Sequence, residues 1–212
     1  MNSKKGSIRL HQLLSVAPRP WHLGASLGRF CDWHVFVNIP YDNAYRNLER
    51  ALCFTLMAYG FQPVMAKSSR KDIVRLDKIV TLMKACKYGV SDVSRGLRHN
   101  MPYEHGMLQV LPNIKARCVL TTDRFKAKRR MSDIDGFDAI AHNNRPATLV
   151  QKLSEWLLDN TFEDIPPLRR EIRPEHILRA LTKTIIHVSD LGDYFRLNQE
   201  LDGLLVQAAI SM

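Results

Sequence analysis

Two short stretches concentrate the side chains able to do chemistry. The first is Asn38-Ile39-Pro40-Tyr41-Asp42-Asn43-Ala44-Tyr45-Arg46, and the second is Ser91-Asp92-Val93-Ser94-Arg95 leading into Asn100-Met101-Pro102-Tyr103-Glu104-His105-Gly106. Amides, carboxylates, phenols and guanidinium groups gathered in two loops are what a pocket for a polar small molecule requires. Several phosphate chemistries are excluded on spacing. There is no GxxxxGKS/T and no GxGxxG, the glycine loops whose backbone N–H groups cradle phosphates. A phosphorelay receiver would carry acidic residues where Asn38 stands. Glu104-His105 lacks the second histidine of HExxH, and the other histidines show no ligand spacing, so no metal site is expected.

Each of these residues also has a plainer reading. Asn100 fits a helix N-cap, Pro102 a first-turn residue, and Asp42 the cap of the helix after the first strand. A glutamate in a first turn is stabilised by the helix macrodipole with or without a catalytic role. Tyr45 and Met107 read as core. Asp92, in a strand-end loop, is the stronger functional candidate.

The elements that must position these groups follow from periodicity. Val35–Val37 reads as a buried strand, and Asp42–Tyr59 as a helix with Tyr45, Leu48, Leu52 and Thr55 on one face. Gly60 is a helix stop before a second strand, Phe61–Ala66. Ile73, Leu76, Ile79, Val80 and Met83 form the next helical stripe. Tyr88–Val93 then reads as strand, Met101–Leu111 as helix, Ala116–Thr121 as strand and Ala139–Ala141 as a weaker fifth strand. A helix carrying Leu149, Val150, Leu153, Trp156 and Leu157 follows. Strands alternating with helices specify a parallel sheet covered on both faces by right-handed crossovers. The expected fold is α/β and flavodoxin-like, a doubly wound parallel sheet of about five strands in the order 2-1-3-4-5, with a C-terminal helical appendage. In such a sheet the ligand crevice lies at the carboxyl ends of strands 1 and 3, where the two polar stretches meet. The domain plan is a basic arm at 1–33, the α/β domain at 34–160 and helical patterns at 161–212, around Ile177–Val188 and Leu197–Ala209.

Composition agrees with an ordinary globular chain: 212 residues, 45% hydrophobic and 25% charged. The longest apolar stretch, Ala51–Phe61, falls short of a membrane span, so no membrane partner is expected. No two of Cys31, Cys53, Cys86 and Cys118 form a CxxC pair; Cys53, Cys86 and Cys118 read as buried reduced thiols of a cytoplasmic protein. The net charge of +10 is concentrated in two places. Lys4, Lys5, Arg9, Arg19 and Arg29 precede the first acid, and Arg117, Arg124, Lys126, Lys128, Arg129 and Arg130 face only Asp123. These patches attract polyanions, but no aromatic or heptad pattern turns them into a nucleic-acid site, and a solvated surface explains them equally. A transit peptide shares the composition of residues 1–33; a flexible or docking arm is the preferred reading.

The string Asn38-Ile39-Pro40-Tyr41-Asp42, then Asp92-Val93-Ser94-Arg95, then Asn100 to Gly106, resembles a bacterial group related to nucleoside 2-deoxyribosyltransferases and TIR-type NAD glycohydrolases. The resemblance spans about residues 34 to 122, and its most specific piece is the Glu-x-Gly helix start. It implies an N-glycosidase acting on a nucleotide or NAD-like substrate, with NAD as substrate and no cofactor, and by analogy a role in bacterial defence. Glu104 matches the glutamate that acts on the anomeric carbon, where an ionised carboxylate stabilises oxocarbenium charge or forms a glycosyl intermediate. Asp92 and Asn38 would hold sugar hydroxyls, Tyr41 or Tyr103 would stack on the base, and Arg46 or Arg95 would meet a phosphate. Pro40, Asp42, Ser94, Asn100 and Met101 complete the expected contacts. Those transferases carry another carboxylate just before the glutamate; here Gly96-Leu97-Arg98-His99 is basic, which suits a phosphate-bearing substrate. The alternative is a non-catalytic module sensing a nucleotide in the same crevice. Leu197, Leu201, Leu204 and Leu205 would serve self-association into a homo-oligomer.

Overall fold

The computed structural model describes residues 31–66, 75–94, 100–123 and 139–183. Five strands alternate with helices. They are β1 (Cys31–Asn38), α1 (Arg46–Ala58), β2 (Gln62–Val64), α2 (Arg75–Lys84), β3 (Cys86–Asp92), α3 (Asn100–Val110), β4 (Ala116–Thr121), β5 (Ile140–Ala141), α4 (Pro146–Thr161) and α5 (Pro174–Lys183). The sheet is parallel throughout, in the order β2-β1-β3-β4-β5. This is the flavodoxin-like arrangement the alternation predicts.

Parallel strands covered on both faces must be apolar on both. Val35, Val37, Tyr88, Val90, Cys118 and Leu120 join the core beneath α1 and α4. Phe36, on the other face, packs with Ile79, Leu82 and Met83 of α2 and Leu108 of α3. Gly89 lets α3 come close, since a Cβ there would meet the Leu108 side chain at 3.1 Å. The Cys53, Cys86 and Cys118 thiols are buried, as expected. The helix expected from Asp42 begins at Arg46, because Asp42–Tyr45 forms a turn in which the Tyr45 N–H meets the Asp42 carbonyl at 3.0 Å and its carboxylate at 2.9 Å.

Packing continues across residue 160. Ile165, Ile172, Ile177 and Ala180 belong to the same core as α1 and α4. Arg169 donates to the Met57 and Ala58 carbonyls at 2.8 and 3.0 Å, which satisfies the open C-terminus of α1. Gly60, at φ 88°, ends that helix against the Pro166 ring, where a Cβ would sit 3.0 Å from Pro166 Cδ. The arm at 1–30, the basic cluster from Arg124 to Arg130, and Leu197, Leu201, Leu204 and Leu205 lie outside the described residues. Among those described, no helix is long and apolar enough to cross a membrane.

An ion cluster ties the segment after α4 to β3. Lys87 Nζ lies 2.6 Å from the Asp164 carboxylate and 3.3 Å from that of Asp32, and the Tyr88 hydroxyl donates to Asp164. Burial alone would raise the Asp164 carboxyl, but hydrogen bonds from Lys87 and Tyr88 outweigh it and hold the group below its ordinary value. A carboxyl depressed in the folded state stabilises the fold above its unfolded pKa, and that contribution fades as pH falls through the folded one. Asp164→Asn is therefore expected to destabilise the protein by about 1–2 kcal/mol near neutrality. Urea unfolding should show the difference from wild type shrinking below about pH 4; an unchanged difference would remove Asp164 ionisation as the cause.

Candidate functional site

The carboxyl ends of β1 and β3 lie side by side, with Asn38 opposite Ser91 in the register. From there the chain leaves on opposite faces, to α1 after β1 and to α3 after β3. The two polar stretches therefore converge on one edge.

On the α1 face stands a closed network around Asp92, which is fully buried. The Tyr45 hydroxyl donates to Asp92 Oδ2. His142 Nε2 reaches the same oxygen at 2.9 Å, and the Ser94 N–H reaches Oδ1 at 2.7 Å. Ser94 Oγ lies 3.2 Å from His142 Nε2. The other ring nitrogen, Nδ1, accepts from the Asn144 N–H at 3.1 Å, which assigns the ring hydrogen of a neutral imidazole to Nε2. Ser94 and Asp92 thus meet the same nitrogen. That geometry cannot relay a proton from serine through histidine to aspartate, which needs one partner on each nitrogen. Burial, with the Asp92 charge and hydrogen bond added, pushes the Tyr45 phenol far up, so it remains a donor.

His142 is set in place by its own turn. Its N–H meets the Thr121 carbonyl at 2.9 Å and the Asn143 N–H meets that of Thr122 at 2.9 Å. Asn143 and Asn144 adopt left-handed φ of 53° and 55°, a conformation asparagine tolerates better than most residues.

On the α3 face, Asn38 Nδ2 donates to the Met101 carbonyl at 3.1 Å and holds the start of α3 against β1. Alternation along β3 puts Ser91 on the Gly89 side, the side that meets α3. The Ser91 hydroxyl is buried, with no hydrogen-bond partner among the described residues. Met101 and Leu108 bracket it above and below, which places the turn carrying Glu104 and His105 across from it. Glu104 is 8% exposed. It is the fifth residue of α3, one turn past the helix start where the motif reading puts it, so the macrodipole explanation for a first-turn acid does not apply.

Tyr41 stands between the faces. Burial raises its phenol well above the ordinary value, with the charge of Glu104 next in weight and that of Glu49 after it; a backbone hydrogen bond from Ala66 pulls the other way. Glu49, in the first turn of α1, is 7% exposed.

The remaining expected contacts divide. Pro40 is buried beside Ile39, and Met101 is buried with its carbonyl on Asn38. Asp42 caps the turn into α1 through Tyr45 N–H. Arg46 is exposed and donates to Asn43 Oδ1 at 3.2 Å. Tyr103 is 60% exposed, outside the crevice walls. Asn100 opens α3; its side chain and residues 95–99, Arg95 among them, lie outside what the structure describes. Asp92 is reached by three protein donors and no solvent, so it organises the edge from beneath. Tyr45 and Ser91 fall in the two polar stretches without an expected site role, and His142 and Glu49 lie outside those stretches. The strand-end rule that singles out Asn38 and Asp92 applies equally to His142, which follows β5 directly.

No family model matches the chain, and no curated protein matches it. What the structure shows is a flavodoxin-like α/β fold in which the two polar stretches meet at the carboxyl ends of β1 and β3, where the strand order reverses. Among the described residues, no group of three or more His, Cys, Asp or Glu side chains could hold a metal ion.

The Asp92 network generates a direct test. Tyr45→Phe deletes one donor to a wholly buried carboxylate and is expected to destabilise the protein by about 1–3 kcal/mol. Its effect should be non-additive with that of Asp92→Asn by about 0.5 kcal/mol or more, since both act on one hydrogen bond. Denaturant melts of the four-member cycle measure this, and simple additivity would sink the shared-bond account.

Proposed function

We propose that the protein is an N-glycosidase that cleaves the bond between the anomeric carbon and the base of a nucleotide or NAD-like substrate. One observation carries the reading. Glu104 is buried, three residues past Met101, on the helix whose start is pinned to Asn38 at the carboxyl end of β1. In the reaction the C1′–N bond breaks, its electron pair leaves with the base, and positive charge builds on the sugar. A preorganised carboxylate against that carbon lowers the barrier, and a partly dry site strengthens the attraction. Asn38 is engaged by Met101 through its amide N–H, so its carbonyl oxygen is the atom left for a sugar hydroxyl. The Tyr41 ring, 39% exposed, offers a face to the base, and a neutral phenol presents no repelling charge. Arg95, Arg98 and His99, which precede α3 in sequence, are the basic residues that suit a phosphate-bearing substrate.

The test compares wild type with Glu104→Gln on NAD and a panel of nucleotides and nucleosides, with free base followed by chromatography. Wild type should release base, and Glu104→Gln should lose at least about 10²-fold in turnover while ligand affinity, measured by calorimetry, stays near that of wild type. Equal release by both would remove Glu104 from its role. Binding without release by either would identify a non-catalytic nucleotide-binding module.

A further inference from the structure

Two neighbouring side chains on the α3 face of the sheet keep hydrogen-bonding capacity to spare. Asn38 and Ser91 are register partners on adjacent parallel strands, so their side chains point to the same side. Both are buried, at 2% and 1% exposed. The Asn38 amide N–H is taken by the Met101 carbonyl, which leaves its own carbonyl oxygen. The Ser91 hydroxyl has no hydrogen-bond partner among the described residues, a state in which buried hydroxyls are rarely left. Helix α3 decides what lies opposite them. Its first turn meets Asn38 through Met101, and Leu108 packs on Gly89 further in. Strand residues 89 and 91 are about 6.6 Å apart and one helical turn rises about 5.4 Å. The turn before Leu108, which holds Glu104, therefore lies over Ser91, and Glu104 is buried there.

The pattern of donors and acceptors selects the occupant. With its N–H engaged, Asn38 offers only an acceptor, whereas the Ser91 hydroxyl both donates and accepts. An ionised phosphate or carboxylate oxygen has no hydrogen to give Asn38. A hydroxyl gives its hydrogen to the Asn38 oxygen and takes one from Ser91. The span fits as well, because neighbouring strands lie about 4.8 Å apart and two O–H···O bonds meeting at one oxygen bridge about 4.5 Å. In the reaction proposed above Glu104 faces C1′, and the hydroxyl nearest that carbon is the one on C2′. We infer that Ser91 and Asn38 form a subsite for the sugar 2′-hydroxyl, so that the substrate class is ribosyl, a ribonucleotide or NAD, and not 2-deoxyribosyl. The inference rests on the N-glycosidase reading and narrows it. A site built to hydrogen-bond a substrate hydroxyl rejects the analogue that lacks it, since its own buried polar groups are then left unpaired.

The test pairs each ribosyl substrate with its counterpart lacking one hydroxyl: NAD with the analogue 2′-deoxy at the nicotinamide sugar, and AMP with dAMP. Base release gives kcat/KM on each for wild type and Ser91→Ala, after thermal melts establish that both are folded. Ser91→Ala removes a buried hydroxyl that meets no described residue, so Tm should not fall. Wild type should favour the ribosyl member of a pair, and Ser91→Ala should cut the ribosyl-to-deoxyribosyl ratio of kcat/KM about tenfold, the worth of one hydrogen bond. Should Ser91→Ala fail to fold, Ser91→Cys, close in size and a weak donor, carries the same comparison. An unchanged ratio would overturn the subsite and leave the glycosidase reading intact. Equal loss on both sugars is one form of that result, expected if the pair meets an amine of the base or serves the fold alone. A wild type that prefers the deoxyribosyl member would also overturn the subsite. Absence of base release from every substrate would overturn both readings.

Discussion

A carboxylate with no contact with solvent must be met by donors on both oxygens, and Asp92 is in that position. Removing an ionised group from water without compensation is among the most unfavourable steps a fold can take. Here the compensation comes from three parts of the chain far apart in sequence: Tyr45 at the entry to α1, Ser94 just past β3, and His142 at the end of β5. Meeting that demand brings the starts of α1 and α4 to the carboxyl end of β3. The turn after β5 takes two left-handed asparagines to do so, and the backbone N–H of the second fixes which imidazole nitrogen faces the carboxylate. The sheet edge is thus tied together by a fully buried, hydrogen-bonded side chain as well as by apolar packing.

The two faces of the edge do different work. Beneath α1 the polar groups are closed on one another, a rigid floor that presents Tyr45 and Asp92 to no ligand. Beneath α3 the polar groups are open. Asn38 gives its N–H to the helix and keeps its carbonyl oxygen, and Ser91 has no partner among the described residues. Glu104 and Glu49 are buried on helices that cover opposite faces of the sheet. A satisfied floor under a less satisfied wall is a physically sensible division for a binding crevice, since preorganised groups hold geometry and unfilled ones take up the ligand.

Much of the architecture was legible. β4 has the bounds its apolar run predicts, the strand order follows from the alternation, and Gly60 ends α1 as its backbone freedom suggests. The candidate site was legible only in part. Asn38 and Asp92 stand at strand ends, where position alone signals a crevice, and Glu104 stands out through its motif, one turn into α3. Tyr45 reads as core because at helical spacing it falls in line with Leu48 and Leu52, and an aromatic ring fills such a stripe equally well with or without a bonded hydroxyl. His142 follows the weakest strand by a segment whose periodicity says little. Glu49 looks like one more charge on an amphipathic helix, and Ser91, though it falls in the second polar stretch, carries no signal that its hydroxyl lacks a partner among the described residues.

The amino-acid sequence by itself determined the class of fold and the sheet edge at which polar side chains gather. Both depend on local patterns: alternation between strand and helix, and the crossover handedness that every such unit obeys. Only the tertiary structure decided which polar groups face inward, which are satisfied by other parts of the chain, and which remain for a ligand. Those outcomes depend on residues about fifty positions apart meeting within 3 Å, as Asp92 and His142 do at 2.9 Å. Periodicity carries no record of such meetings, because hydrogen bonding and burial are settled by the approach of separate elements and not by the spacing within any one of them.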